Sequence, residues 1–385
     1  MANKLKLLKE AELRKKYKTY SVNAGIALAN DKSVNLRIPS RLIWNNRQIG
    51  GGIPYGKIME RFGYESSGKT LMSLDDAYGC QQLGGVVLFA DAERAFDYEW
   101  AQANGLELDR LEIMQYNGLE MFSDWLKDMV LYYRSKLIHN EPILIIYDSI
   151  AAGDTEESIG ADQSAQKSTY GMNRSKAWNE FYRKRVDFLP RYGASLIMLN
   201  QVRQKIGATM YEAQEQTPGG GAHKFYASIR QSMASGARIK GKVDRKTGLW
   251  SLNKDDGKTV GKTIYINTIK NKTFPPLEGA KTEVYFKPDR YGYVGFNRYQ
   301  GLGEILVDMG ILKIKKDGNA KAYYLDGKPI IRKLDTFSDE LHNDSKLRKK
   351  LITLSGINTI SKTRETLAEI KTNLYPVKLK ASSDE

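Results

Sequence analysis

Residues 58–70 read Ile58-Met59-Glu60-Arg61-Phe62-Gly63-Tyr64-Glu65-Ser66-Ser67-Gly68-Lys69-Thr70. The last eight fit G-x-x-x-x-G-K-[ST]. A strand-like run precedes them and a helical segment follows, which is the context the motif requires. A chance glycine turn would not bring strand, loop and helix together in that order. The residue types explain the chemistry. Glycines let the backbone wrap a phosphate chain with its amides pointing inward. The helix N-terminus adds partial positive charge. Lys69 is placed to reach β- and γ-phosphates, and Thr70 to ligate Mg²⁺. The expected ligands are therefore ATP and Mg²⁺, cradled by Gly63, Tyr64, Glu65, Ser66, Ser67, Gly68, Lys69 and Thr70.

Two acidic sites lie downstream. Ile143-Leu144-Ile145-Ile146-Tyr147 is a buried-strand pattern that ends in Asp148-Ser149. An acid at the C-terminal end of a core strand sits beside the phosphate loop in this class of sheet and can hold Mg²⁺. The bland alternative is a cap on the next segment. Val86-Val87-Leu88-Phe89-Ala90-Asp91-Ala92-Glu93 is another strand ending in acid. Glu93 could orient and deprotonate an attacking water, with Asp91 structural, or could be a solvated carboxylate.

Further out, strand-like runs at 58–62, 86–90, 143–147 and 196–199 alternate with helical segments near 69–83, 119–137 and 173–189. This alternation predicts an α/β fold, a P-loop NTPase core with a central, mostly parallel sheet covered by helices. Runs at 263–269 and 282–286 extend the sheet. Residues 1–20 hold seven Lys/Arg against two Glu and read as a basic amphipathic helix. The stretch 231–272 carries ten Lys/Arg and three Asp and reads as a basic loop or hairpin. A small α/β unit begins near 300, with a helix at 300–309 and a strand pair at 321–332.

Composition narrows the class. The chain has 385 residues with a formal net charge of +15. Such a balance fits polyanionic partners, nucleic acid or a membrane surface, or simple solubility. The single cysteine, Cys80, excludes an internal disulfide framework. The histidines His139, His223 and His342 lie too far apart for zinc-ligand spacing. No stretch of about 18 apolar residues predicts a membrane span. The charged N-terminus lacks an apolar signal region. A reducing, intracellular setting is the simplest expectation.

Several motifs, in order, resemble the RecA recombinase family. They are 51–56 (GGIPYG), 65–70 (ESSGKT), 91–97 (DAERAFD), 148–152 (DSIAA), 200–207 (NQVRQKIG), 219–230 (GGGAHKFYASIR) and 270–272 (KNK). Residues 303–310 (GEILVDMG) resemble the family's end domain. The resemblance covers about 34–355 and implies a RecA-like core and a set of roles. Glu93 matches the catalytic glutamate, Trp100 an aromatic over the adenine with Asp97 near the same base, and Gln201 the glutamine that senses the γ-phosphate. Residues 153–176 match the first DNA-binding loop, with Lys167, Arg174 and Lys176 as phosphate contacts. Residues 202–221 match the second, with Arg203 and Lys205, and with Met210 or Tyr211 as the wedge. Lys270 and Lys272 match a pair that reaches a neighbouring subunit's ATP. Lys224, Phe225 and Arg230 match the subunit interface.

The resemblance implies a filament on single-stranded DNA that pairs with duplex DNA and hydrolyses ATP, with single-strand-binding and loader proteins as further partners and no membrane. The expected organisation is an N-terminal oligomerisation segment at 1–45, the ATPase core with its DNA loops at 46–298, and the terminal domain and basic tail at 299–385. The sequence departs from the family in ending Ser382-Ser383-Asp384-Glu385 behind lysines, not in a long acidic tail, and in its longer basic segment at 231–262. A ring helicase on the same core and a non-catalytic mediator are the rival classes.

Overall fold

The computed structural model describes residues 36–160, 170–204, 215–243, 250–252, 257–276, 279–288, 294–317, 320–370 and 372–375. Two units divide the chain, Met1–Leu36 and Arg37–Glu385. The helix expected over 1–20 lies outside the described residues.

The second unit runs β1 (Arg37–Ile38), α1 (Ile43–Gln48), β2 (Ile53–Pro54), β3 (Ile58–Gly63), α2 (Lys69–Gln82), β4 (Val86–Asp91), α3 (Tyr98–Ala103), β5 (Leu111–Met114), α4 (Leu119–Lys136), β6 (Ile143–Asp148), α5 (Glu156–Gly160), α6 (Tyr170–Arg191) and β7 (Ala194–Gln201). It continues with β8 (Arg203–Gln204), β9 (Glu215–Gln216), α7 (Ala222–Tyr226), β10 (Ile229–Val243), β11 (Trp250–Leu252), β12 (Lys258–Asn271), β13 (Ala280–Tyr285) and β14 (Gly295–Phe296). The last stretch holds α8 (Leu302–Asp308), β15 (Lys313–Asp317), β16 (Ala320–Leu325), β17 (Lys328–Ile331), α9 (Phe337–Asn343), α10 (Ser345–Ser355) and α11 (Ile360–Glu369).

The large sheet has the order β14-β13-β12-β10-β3-β7-β6-β4-β5, with β11 on β10. Strands β10, β3, β7, β6, β4 and β5 are parallel. Strands β11 to β14 add an antiparallel wing. The parallel strands β4, β6 and β7 are apolar at nearly every position because helices cover both faces. Helix α4 buries Leu119, Phe122, Leu126 and Val130, a stripe at helical spacing. It packs with Trp178 and Phe181 of α6 and with Leu88, Ile145 and Leu196 of the sheet in one cluster. A second cluster joins Trp44, Met72, Met233, Ile264, Ile266 and Phe296.

The basic stretch 231–272 takes the hairpin alternative, and its strands belong to the sheet. Ile264, Ile266 and Thr268 are buried while Tyr265, Asn267 and Ile269 are exposed, a period of two. The many lysines around it obscure that alternation in the sequence. Around the small sheet β15-β16-β17, a separate cluster holds Leu302, Leu306, Tyr323, Leu325, Phe337 and Leu341. The strand pair expected at 321–332 is thus joined by a third strand.

Register sets up the site. Gly63 lies beside Gln201, and Asp91 beside Asp148. Four strands therefore end on one edge, the carboxyl edge where ligands bind in such sheets. Beneath it, Arg61 pairs with Asp76 at 2.8 Å, both fully buried. Burial pushes the Asp76 carboxyl up to about 6, against the pull of Arg61.

Candidate nucleotide-binding site

The loop from Gly63 to Thr70 joins β3 to α2. Gly68 caps α2 in the left-handed region at φ 87°, and a Cβ there would press on the Phe296 ring. Glycine is needed at that position. Lys69 is 8 % exposed. Its Nζ donates to the carbonyls of Gly63 at 3.1 Å and Tyr64 at 2.8 Å, and to Ser67 Oγ at 3.4 Å. Burial lowers its pKa, opposed by the carboxylates of Asp148 and Glu93.

The two predicted magnesium ligands touch. Thr70 Oγ1 donates to Asp148 Oδ2 at 2.6 Å. Withdrawal from water pushes the Asp148 carboxyl up to about 6, against the pull of the Thr70 hydroxyl and with Glu93 nearby adding to the rise. Among the described residues no group of three His, Cys, Asp or Glu is arranged to hold a metal ion. A hydroxyl and one carboxylate do suit Mg²⁺, which keeps several waters and takes its other oxygens from phosphates.

Glu93 Oε1 accepts from Gln201 Nε2 at 3.0 Å and from the Ser149 hydroxyl. The ends of β4, β6 and β7 therefore meet through three side chains. Asp91, by contrast, accepts from the backbone of Ala95 at 3.1 Å and Phe96 at 2.9 Å, and from Gln115 at 3.2 Å. That fits its structural reading. Asp97 caps α3 by accepting from the Trp100 backbone at 2.8 Å. A cleft of about 470 Å³ brings Ser66–Thr70, Glu93, Asp97, Trp100 and Asp148 together. The volume is in the range of small-ligand pockets.

Other predicted residues fall elsewhere. Arg230 and Lys270 sit in the row of Glu60, three positions before Gly63 on β3, roughly 10 Å down the strand at 3.3 Å per residue. Lys270 Nζ donates to the carbonyls of Lys224 at 2.5 Å and Phe225 at 3.2 Å. Lys272 donates to the Phe225 carbonyl at 3.4 Å and lies over its ring, and Phe225 is 72 % exposed. Neither lysine lines the cleft. Arg230 pairs with Glu60 in the interior.

In the first loop region, Arg174 is half-buried and donates to the carbonyls of Ile150 and Ala151, while Lys176 is exposed. The second loop has an antiparallel stem in which Arg203 pairs with Gln216 and Gln204 with Glu215. Arg203 is exposed. Lys167, Lys205, Met210 and Tyr211 lie outside the described residues.

Sequence reasoning missed Ser149, Lys262, Val284 and Phe286. The last three line the same cleft from β12, β13 and the residue after β13. They stand some 190 residues and more from the phosphate loop, and no local motif announces them.

It also passed over His223 except to exclude zinc. The imidazole is buried, with Nδ1 2.7 Å from the Tyr182 hydroxyl. Gly219, at φ 86°, approaches so closely that a Cβ would overlap Nε2. Burial pushes the imidazole from 6.5 down to about 4; Glu60 and the backbone of Gly219 and Pro218 oppose this, and Arg174 adds to it. The folded value is depressed, so the stabilisation is present above pH 6.5 and is lost as pH falls from 6.5 through 4. A shift of this size is worth about 3 kcal/mol. His223→Leu is expected to flatten the fall in urea midpoint between pH 7 and pH 4.5. An unchanged slope would place the acid sensitivity elsewhere.

The fold and cleft define a P-loop nucleotide-binding α/β protein. Residues 8–289 match the RecA N-terminal domain. The chain is 32 % identical over 331 residues to Protein RecA of Tropheryma whipplei (strain Twist), covering 84 % of this chain and 67 % of that one. It is 34 % identical over 275 residues to the chromosomal Protein RecA of Lactococcus lactis subsp. lactis (strain IL1403), covering 71 % and 63 %. It is 33 % identical over 294 residues to Protein RecA of Desulfovibrio desulfuricans, covering 76 % and 72 %. The matches thus span about two thirds of these relatives' length. The chain belongs to the RecA family.

Proposed function

We propose that this chain is an ATP-dependent DNA recombinase. It assembles as a filament on single-stranded DNA and carries out homologous pairing and strand exchange, with DNA-dependent ATP hydrolysis, in recombination and repair. The observation that carries this reading is a split site. The cleft gathers Lys69, Thr70, Asp148 and Glu93, with Gln201 bonded to Glu93, whereas Lys270 and Lys272 stand about half a strand or more down β3 beside the exposed Phe225. Cations placed so far from their own cleft are suited to another protomer's ATP. Subunit contact through the exposed Lys224 and Phe225, with Arg230 held on Glu60 behind them, then completes the hydrolytic site, because a cation stabilises charge developing on the γ-phosphate.

Within one protomer, Lys69 leaves its loop carbonyls to bind the phosphates, and Trp100 stacks on the adenine with Asp97 beside it. Thr70 and Asp148 would hold Mg²⁺, which neutralises phosphate charge when bound. Glu93 orients and deprotonates the attacking water. A terminal phosphate that draws Gln201 away from Glu93 signals through β7 into the 202–221 loop. There Arg203 and Lys205 grip the DNA backbone, with Met210 or Tyr211 between bases. Lys167 and Lys176 act from the first loop, whose root Arg174 ties down. Base pairing, not side chains, supplies specificity. The core at 46–298 holds all of this, and the segments at 1–45 and 299–385 serve assembly and DNA access. Among the described residues no helix is long and apolar enough to cross a membrane, and we place the protein in the cytoplasm, where single-strand-binding and loader proteins would be its partners.

The test is pairing of a single strand with a homologous duplex, with and without ATP, alongside negative-stain images. Filaments with ATP-dependent pairing are expected. Closed hexameric rings that unwind forks would make it a helicase, and DNA binding without pairing a mediator. Single-strand affinity should also fall steeply with salt. Four phosphate contacts predict a loss of roughly fiftyfold between 50 and 200 mM. A flat response would count against phosphate gripping by the loops.

A further inference from the structure

Lys262 has no part in the motifs quoted above, yet it stands over the phosphate loop. It lies on β12 opposite Arg238 of β10 and lines the same cleft as Lys69 and Trp100. Its ammonium donates to the Ser66 carbonyl, and Ser235 Oγ of β10 donates to the same oxygen at 3.0 Å. Ser66 is a non-glycine residue at φ 56°, in the left-handed region. The hairpin therefore holds a strained residue of the loop with two donors.

A hydroxyl alone is enough to satisfy that carbonyl, so the cation needs its own account. Four carboxylates line the cleft, and each is engaged elsewhere. Asp91 accepts from the backbone of Ala95 and Phe96, and Asp97 from that of Trp100. Glu93 accepts from Gln201 and Ser149, and Asp148 from Thr70. Lys262 forms an ion pair with none of them among the described residues. Its other neighbour is the Phe286 ring, 5.9 Å from the ammonium. Burial lowers the pKa of Lys262, and its charge in turn works against that of Lys69. Two ammoniums that share one cleft without carboxylate partners of their own suit an anion with several charges in a row.

The geometry points to Lys262 as a nucleotide-binding residue supplied in cis: a second ammonium, beside Lys69, that contacts the phosphate chain of a nucleoside triphosphate and seats the loop that cradles it. This rests on the reading of the cleft as a nucleotide site. The ligands used to test it separate phosphate contact from scaffolding. The full chain is titrated, in Mg²⁺, with fluorescent analogues of ATP, ADP and AMP, as wild type and as Lys262→Met, Lys262→Arg, Ser235→Ala and Lys69→Ala.

Lys262→Met is expected to weaken ATP and ADP about tenfold, the scale of one charge-assisted contact, and AMP less than about twofold. Lys262→Arg keeps ATP within about threefold, and so does Ser235→Ala, which removes only the neutral donor. Equal losses for ATP, ADP and AMP, a matching loss in Ser235→Ala, or wild-type ATP affinity in Lys262→Met would each overturn the assignment. If the wild type binds no ATP, or Lys69→Ala binds it normally, the reading of the whole cleft fails and Lys262 with it.

Discussion

Lys69→Ala is expected to abolish ATP turnover. Phosphate release at saturating single-stranded DNA should fall at least a hundredfold, the scale on which removing one group aimed at developing charge slows an enzyme. The placement of Lys69 explains why no other group substitutes. Its ammonium is withdrawn from water and bonded to the carbonyls of Gly63 and Tyr64 and to Ser67 Oγ. Once released from those carbonyls, Lys69 faces the phosphates beside the loop amides, and alanine leaves the amides without that cation. Lys262 remains on the Ser66 carbonyl in the variant, but it donates from β12 and not from within the loop. Folding should change little, because the carbonyls freed by the alanine open on the cleft and can be hydrated. A thermal melt within a few degrees of wild type would verify that. Normal turnover in Lys69→Ala would rule out this loop as the hydrolytic site.

The parts of the site legible in the sequence are those carried by consecutive residues. The phosphate loop, Glu93 and Asp148 each follow a run of apolar strand residues, and the structure ends β3 at Gly63, β4 at Asp91 just before Glu93, and β6 at Asp148. The central helices were likewise readable from their apolar spacing. What the sequence hid is register. Nothing local shows that Lys262 on β12 faces Ser66, because that depends on how an antiparallel wing pairs across β10. Only the pairing of β10 with β3 separates Lys270 from the phosphate loop by about half a strand. The wing itself was hard to read because lysines stand at its solvent-facing and edge positions, which masks a period of two. Arg174 shows the opposite limit: a basic residue in a predicted DNA loop turns inward onto the carbonyls of Ile150 and Ala151.

Glu93→Gln should separate binding from hydrolysis. The amide is nearly the same shape, and its oxygen can still accept from Gln201 and Ser149, so the junction of β4, β6 and β7 persists. Lys69, Thr70, Asp148 and Trp100 are untouched, and ATP should bind with near wild-type affinity. The carboxylate's basicity is gone, however. A positioned base is typically worth 10²–10⁴ in rate, so hydrolysis should drop by about two orders of magnitude or more. If hydrolysis is the step that releases DNA, filaments of the variant should outlast those of the wild type after free ATP is removed. Negative-stain images and a chase with competitor single strand would measure this. One round of homologous pairing should survive, since base pairing and ATP binding drive it. Fast hydrolysis by Glu93→Gln would remove Glu93 from the role of base. Slow hydrolysis with short-lived filaments would instead uncouple release from turnover, and Gln201 could not then be the residue that reports the γ-phosphate to the DNA loop.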